Sequence, residues 1–159
     1  MTDLSQYKEL WAFLISMLPI VEIRGALPVA LASGIHPLLA FPLTIIGNMI
    51  PVPFILLFIR PIFNWLKRRE KVKGIIQKLE DKAFSKSDNI AKYNVIGLIL
   101  FVGIPLPGTG AWTGALIAAL LDMRLKIAIP AIFLGVVLAS IIVGAISLGG
   151  LSFLSWMLG

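Results

Sequence analysis

From Pro37 to Ile59 the chain carries no charged residue. About 20 apolar residues suffice for a helix to cross a bilayer, and this run is long enough. A second uncharged block, Ile127 to Gly159, holds another span, expected to end near Leu148 before a tail punctuated by Gly149 and Gly150. Two further apolar stretches are broken. Leu10 to Val21 is interrupted by Glu22 and Arg24 before Gly25 to Ile35 resumes. Tyr93 to Leu121 is broken by Pro105-Leu106-Pro107-Gly108-Thr109-Gly110. The chain is 58% hydrophobic and only 14% charged, against about 25% charged in soluble domains. There is too little polar surface to cover a water-soluble ball, so the expectation is an all-α integral membrane protein.

Charge and cysteine content narrow the class further. The formal charge of +6 would suggest nucleic acid in a soluble chain. Here the basic residues sit between apolar blocks, so they report membrane topology instead, and no nucleic-acid partner is expected. With no cysteines, disulfides and thiolate metal sites are excluded. The first residues set Asp3 and Glu9 against Lys8. That is not the basic start of a cleaved signal peptide, and the N-terminus is read as retained.

Between the apolar blocks lies a basic stretch, residues 64–92. Val72, Ile75, Ile76, Leu79 and Ala83 follow helical spacing among Lys71, Lys73, Lys78 and Lys82. This pattern predicts an amphipathic linker helix on a membrane face; a solvated connecting helix fits it as well. Ser87-Asp88-Asn89 reads as the cap opening the next helix.

Shifting the sequence by 88 positions brings its punctuation into register. Pro19 then meets Pro107, Pro42 meets Pro130, Gly47 meets Gly135 and His36 meets Arg124. Each half reads as helix, Pro/Gly break, short helix, corner and spanning helix. The halves are about 5–63 and 93–148, with a tail at 149–159, in a single membrane domain. A helix of about 14 residues before the break rises roughly 21 Å, short of a hydrocarbon core of about 30 Å. The natural geometry is a re-entrant hairpin, whose irregular backbone is tolerated only inside protein or beside a water-filled cavity. One span separates the hairpins, so the second enters from the opposite face: an inverted repeat. All but Lys8 and Arg24 of the 14 lysines and arginines then lie on the linker face. That makes the linker cytoplasmic and both termini extracytoplasmic.

Glu22-Ile23-Arg24-Gly25-Ala26-Leu27-Pro28 is the sharpest local signal. A charge at the membrane centre costs from about 2.5 to above 10 kcal/mol. Such residues persist when paired or when facing a polar path. Glu22 is the candidate proton or cation site and Arg24 the candidate anion clamp; the competing reading is that they pin the break. Gly103 to Gly114 is the counterpart. Pro105 and Pro107 remove backbone donors. Gly108 and Gly110 let a ligand or another backbone approach. Thr109 to Thr113 open a helix whose free N–H groups would face the break and hold a phosphate or carboxylate. Trp112 is out of place at mid-membrane, since tryptophan favours interfaces; simple packing over the glycines is the alternative. Asn48, between Gly47 and Pro51, lines the path or bonds a freed carbonyl. No metal cluster, nucleophile–base set or phosphate loop appears, so neither a cofactor nor an enzyme is expected.

The two breaks together, Glu22-Ile-Arg24-Gly-Ala-Leu-Pro28 and Pro105-Leu-Pro107-Gly-Thr-Gly-Ala-Trp112-Thr-Gly, resemble the small multidrug export protein family of prokaryotes, a branch of the superfamily containing DedA membrane proteins. The resemblance covers nearly the whole chain. It implies a cell-membrane protein with an acidic residue in the first tip, matched by Glu22, and a Pro-Gly in the second, matched by Pro107-Gly108. DedA proteins carry an arginine after the Pro-Gly; here Thr109 and Gly110 follow, and Arg24 in the opposite tip is the candidate replacement. The resemblance further implies proton-coupled transport or movement of lipid phosphate carriers, with the missing arginine counting against the latter.

The expectation is therefore an ion- or proton-coupled transporter, or a flippase, for a small anionic solute or lipid phosphate. Its site would be Glu22, Arg24 and the second tip, and its partners membrane lipid and a second copy in a homodimer. Two other readings stay open. One is a four-span dimeric antiporter exchanging protons for cationic drugs, against which Arg24 argues by repulsion. The other is a membrane scaffold or assembly factor, which leaves the buried charges without a role.

Overall fold

The computed structural model describes residues 3–67, Gly74 and 90–158. The predicted linker helix over Val72–Ala83 and its neighbouring cap at 87–89 lie outside the described residues. Among the described residues seven helical segments can be given bounds: α1 Asp3–Ser16, α2 Glu22–Ala32, α3 Pro37–Met49, α4 Pro51–Lys67, α5 Ile90–Gly103, α6 Ala111–Leu120 and α7 Leu125–Leu158. No strand occurs among the described residues, and the all-helical expectation holds. Two helical runs are long and apolar enough to cross a membrane, Pro37–Ile59 and Leu125–Gly150. The first joins α3 to α4 through Ile50, which keeps helical backbone angles.

The second candidate span, Leu125–Gly150, ends close to the expected Leu148, and α7 continues as helix through Gly149 and Gly150 to Leu158. Adjacent glycines cost a helix about 1 kcal/mol each relative to alanine. Apolar residues on both sides outweigh that. At 34 residues α7 is roughly 51 Å long.

Where the chain breaks, it turns back. Lys8 Nζ in α1 donates to the Ser33 carbonyl at 3.1 Å, so the end of α2 lies beside the early part of α1. The last turn of α1 packs at Gly47 of α3, where a side chain would run into Ser16 and the Phe13 carbonyl. The second half repeats this. Gly135 of α7 faces Val102 and the Ile99 carbonyl of α5, and Gly114 of α6 packs on Val102 and Leu98. The two long helices run antiparallel: Phe41 of α3 packs on Gly144 of α7, while Ile46, Met49 and Ile50 share a groove with Ile129, Pro130 and Phe133.

The corners match bond for bond at the offset of 88. Ser33, Gly34 and Ile35 donate to the carbonyls of Val29, Leu31 and Ala30 at 2.9, 3.0 and 3.1 Å. Leu121, Asp122 and Met123 donate to those of Ile117, Ala119 and Ala118 at 2.9, 3.2 and 2.9 Å. The central residue of each corner, Gly34 and Asp122, has positive φ, 81° and 50°. The next helix opens in each half on a residue whose carbonyl takes two N–H groups: Leu39 and Ala40 on His36, Ile127 and Ala128 on Arg124. His36 thus acts as a cap, its Nδ1 also accepting from Leu38 N at 3.4 Å.

The core is built from small and branched residues. Ala26, Ala111, Ala115, Ala118 and Ala128 are fully buried, with Leu27, Val52, Leu56, Ile132 and Val136 between them. Small residues let helices approach closely, which drives packing where lipid removes the hydrophobic difference. Large apolar side chains cover the outside instead: Leu38 is 84% exposed, Phe58 67% and Ile146 67%. An apolar exterior of this extent marks contact with lipid rather than water. Trp11 and Trp65 are also exposed, as expected of interface anchors.

Close contact at the glycines gives a stability test. A methyl group on Gly135 would sit 2.6 Å from Val102 Cβ and 2.9 Å from the Ile99 carbonyl oxygen. Gly135→Ala should destabilise by about 1–3 kcal/mol, the usual effect of overpacking. Gly97 in α5 has nothing within 4 Å of the same position. Gly97→Ala should stabilise, by up to about 1 kcal/mol, through helix propensity alone. Thermal midpoints of the two variants in detergent should move in opposite directions.

Candidate functional site

The two breaks face each other. Residues 17–21 follow α1, and residues 104–110 follow α5. Each break leaves helix ends with unpaired backbone groups, and side chains from the opposite break satisfy them. Glu22 is 4% exposed, and its Oε1 accepts the backbone N–H of Trp112 at 3.1 Å. Its carboxylate therefore caps the start of α6, where the helix dipole favours negative charge. Gly110 makes this possible: a Cβ there would collide with the carboxylate.

Arg24 serves the other helix end. Nη1 donates to the Leu106 carbonyl. Nη2 donates to Thr109 Oγ1 and, at 3.4 Å, to the Ile104 carbonyl. These carbonyls lie just past the end of α5, where a cation is favoured. Thr109 Oγ1 in turn donates to the Ile104 and Leu106 carbonyls at 2.9 Å each, so Arg24 and Thr109 together close the turn. The return link comes from Trp112, whose Nε1 donates to the Met17 carbonyl at 3.0 Å. The first tip thus caps both helix ends of the second, and the second tip caps α1.

The backbone is bent to allow this. Glu22 has φ of 46° and Gly110 φ of 136°; the two are 88 residues apart. A non-glycine residue in this region costs of order 1–3 kcal/mol, and such strain clusters at functional sites.

Between the tips lies a cavity of about 490 Å³. Pro19, Ile20 and Val21 line it on one side, Pro105 to Thr109 with Thr113 on the other, and Glu22 and Arg24 border it. Both charges and the whole Pro-Leu-Pro-Gly-Thr run meet here.

The match to known proteins follows the same boundaries. The family described as Putative small multi-drug export protein matches residues 22–142, from Glu22 and Arg24 through the second break and into α7. The chain belongs to this family. The description names export and no enzymatic activity. No curated protein matches the chain, and no solved structure matches it.

In this export-family chain the expected site residues separate into two groups. Glu22, Arg24, Pro105, Pro107, Gly108, Thr109 and Thr113 line the cavity, and Gly110 and Trp112 stand behind it through their contacts with Glu22. Gly25 and Pro28 lie in α2 and do not line it. Asn48 sits buried in α3, also apart from it. At the N-terminus of α6 one of the open N–H groups, that of Trp112, is already held by Glu22. Trp112 does more than cover glycines, because its indole ties the tips. Sequence reasoning missed the acceptors Met17, Ile104 and Leu106. Their backbone carbonyls carry no side-chain signal; only the rule that broken helix ends need partners pointed to them.

Proposed function

We propose that the chain is a membrane transporter, coupled to protons or another ion, that moves a small anionic solute or a lipid phosphate carrier through the cavity at the tips. The carrying observation is that cavity: two broken-helix tips close over about 490 Å³ with Glu22 and Arg24 at its wall. In this reading α1–α2 and α5–α6 are re-entrant hairpins, and α3–α4 and α7 cross the membrane in opposite directions. The antiparallel packing of α3 on α7 supports it. Four complete spans in succession would make those two helices parallel. An anion reaching the cavity meets the fixed guanidinium of Arg24, while Glu22 occupies the α6 terminus that would otherwise compete for it.

The test uses the wild-type protein in proteoliposomes under an imposed pH or sodium gradient. The expected result is uptake of organic anions, or flipping of a fluorescent polyprenyl phosphate, above protein-free vesicles. Gradient-driven movement of cationic dyes with none of anions would overturn the reading in favour of drug–proton exchange.

A further inference from the structure

Besides Glu22, the buried polar side chains of the described core are Ser16, Thr44, Asn48 and Ser140. Three of them bond their own helix. Ser16 Oγ donates to the Phe13 carbonyl at 2.6 Å, Thr44 Oγ1 to that of Ala40 at 2.8 Å, and Ser140 Oγ to that of Val137 at 2.7 Å. Asn48 does not. It is 1% exposed, and neither Oδ1 nor Nδ2 has a partner. Each buried orphan costs about 1–3 kcal/mol, so an unpaired amide here calls for an explanation.

Packing alone does not require an amide. At the offset of 88 the residue in α7 is Val136, fully buried and apolar. Thr44, one turn before Asn48, corresponds to Ile132, also fully buried. The second half fills the same slots with hydrocarbon, and only α3 places polar groups there.

The location is central. Phe41 of α3 meets Gly144 of α7; counting inward at equal rise brings Asn48 level with Val137, next to Val136, in the antiparallel pair. The neighbouring Gly47 touches Ser16 and Phe13 at the root of the first tip. Pro51 and Pro53 withhold the N–H groups that would close on the carbonyls of Gly47 and Met49. The residues on either side of Asn48 therefore lack the usual helical donors for their carbonyls.

We propose that Asn48 is a water-binding residue at the level where the two spans cross, continuing the tip cavity inward as a polar path when the tips part. The chemistry selects the ligand. An amide presents one acceptor and two donors. A bare cation would leave Nδ2 unbonded, and a carboxylate would leave Oδ1 unbonded. Water serves both, and the freed carbonyls supply the further partners a buried water needs. The inference rests on the two-hairpin transporter reading.

Because the chain has no cysteine, single cysteines test it in native membranes. Asn48→Cys and Val136→Cys are compared with a small water-soluble methanethiosulfonate. Only the thiolate reacts, so the rate reports contact with water, and Asn48→Cys should react about tenfold faster than Val136→Cys. No reaction at position 48, or equal rates at both, overturns the proposal. Purified Asn48→Val provides the second measurement. Its thermal midpoint should equal or exceed that of wild type, since no internal bond is lost. A lower midpoint means that the amide is bonded within the fold, and overturns the proposal too. Failure of the transporter reading itself would register elsewhere, in the sidedness of the N-terminus against the linker, which does not involve position 48.

Discussion

Glu22→Gln and Arg24→Ala should each abolish transport in proteoliposomes while leaving the protein in the membrane. Gln at position 22 keeps the oxygen that accepts from Trp112 N but removes the charge that strengthens the bond. It also turns an amide NH₂ toward a helix N-terminus, where donors already crowd. Ala at position 24 removes every bond from the first tip to the Ile104 and Leu106 carbonyls and Thr109. Hydrogen bonds to charged groups contribute about 1.5–3 kcal/mol each, so Arg24→Ala should also lower the thermal midpoint markedly. Arg24→Lys discriminates between roles. It restores the charge but not the planar fork, so it should recover anion binding more than it recovers stability. Normal transport by both Glu22→Gln and Arg24→Ala would remove the tips from the mechanism.

Labelling with an impermeant thiol reagent should split the chain into two faces. In intact cells Thr2→Cys and Ser155→Cys should label, while Ser85→Cys should stay protected until lysis. The reasoning is topological. If each hairpin returns to the face it entered, only Pro37–Ile59 separates position 2 from position 85, so they lie on opposite sides. The basic linker then faces the cytoplasm, in line with the excess of lysine and arginine there. If every apolar block crossed fully, positions 2 and 85 would share a face and label together. That outcome would dismiss the hairpins and the shared tip cavity with them. The Lys8–Ser33 bond and the antiparallel α3 and α7 lead us to expect the first result.

Sequence composition alone was enough to identify a helical membrane protein. Uncharged runs such as Pro37–Ile59 are long and apolar enough to cross a membrane, and backbone groups in lipid must bond within their own segment, which a helix does. The breaks were legible for the same kind of local reason. Proline lacks a donor and fixes φ, and the Pro105–Gly110 run cannot continue a helix. Glu22 and Arg24 stood out because charges amid apolar residues are expensive. The offset of 88 was visible in Pro42 with Pro130 and Gly47 with Gly135, and the corner hydrogen bonds fall at that same spacing. The second span ends near Leu148 as the glycines signal, while the helix itself continues through Gly149-Gly150 among apolar residues.

Only the tertiary structure decided what the two charges touch. Two positions apart in sequence, Glu22 and Arg24 invite a local pair. Each instead reaches a helix end some 80 to 90 residues away, because a broken helix exposes unpaired N–H groups at one end and carbonyls at the other. Which end lies within reach depends on how the hairpins pack, and no local pattern encodes that. The same holds for Asn48. Its neighbours Gly47 and Pro51 suggest a residue lining a path or bonding a freed carbonyl, but only the packed core shows it buried with no hydrogen-bond partner. Local chemistry determined the helices, the breaks and the membrane. The long-range satisfaction of backbone groups left open at those breaks determined the site.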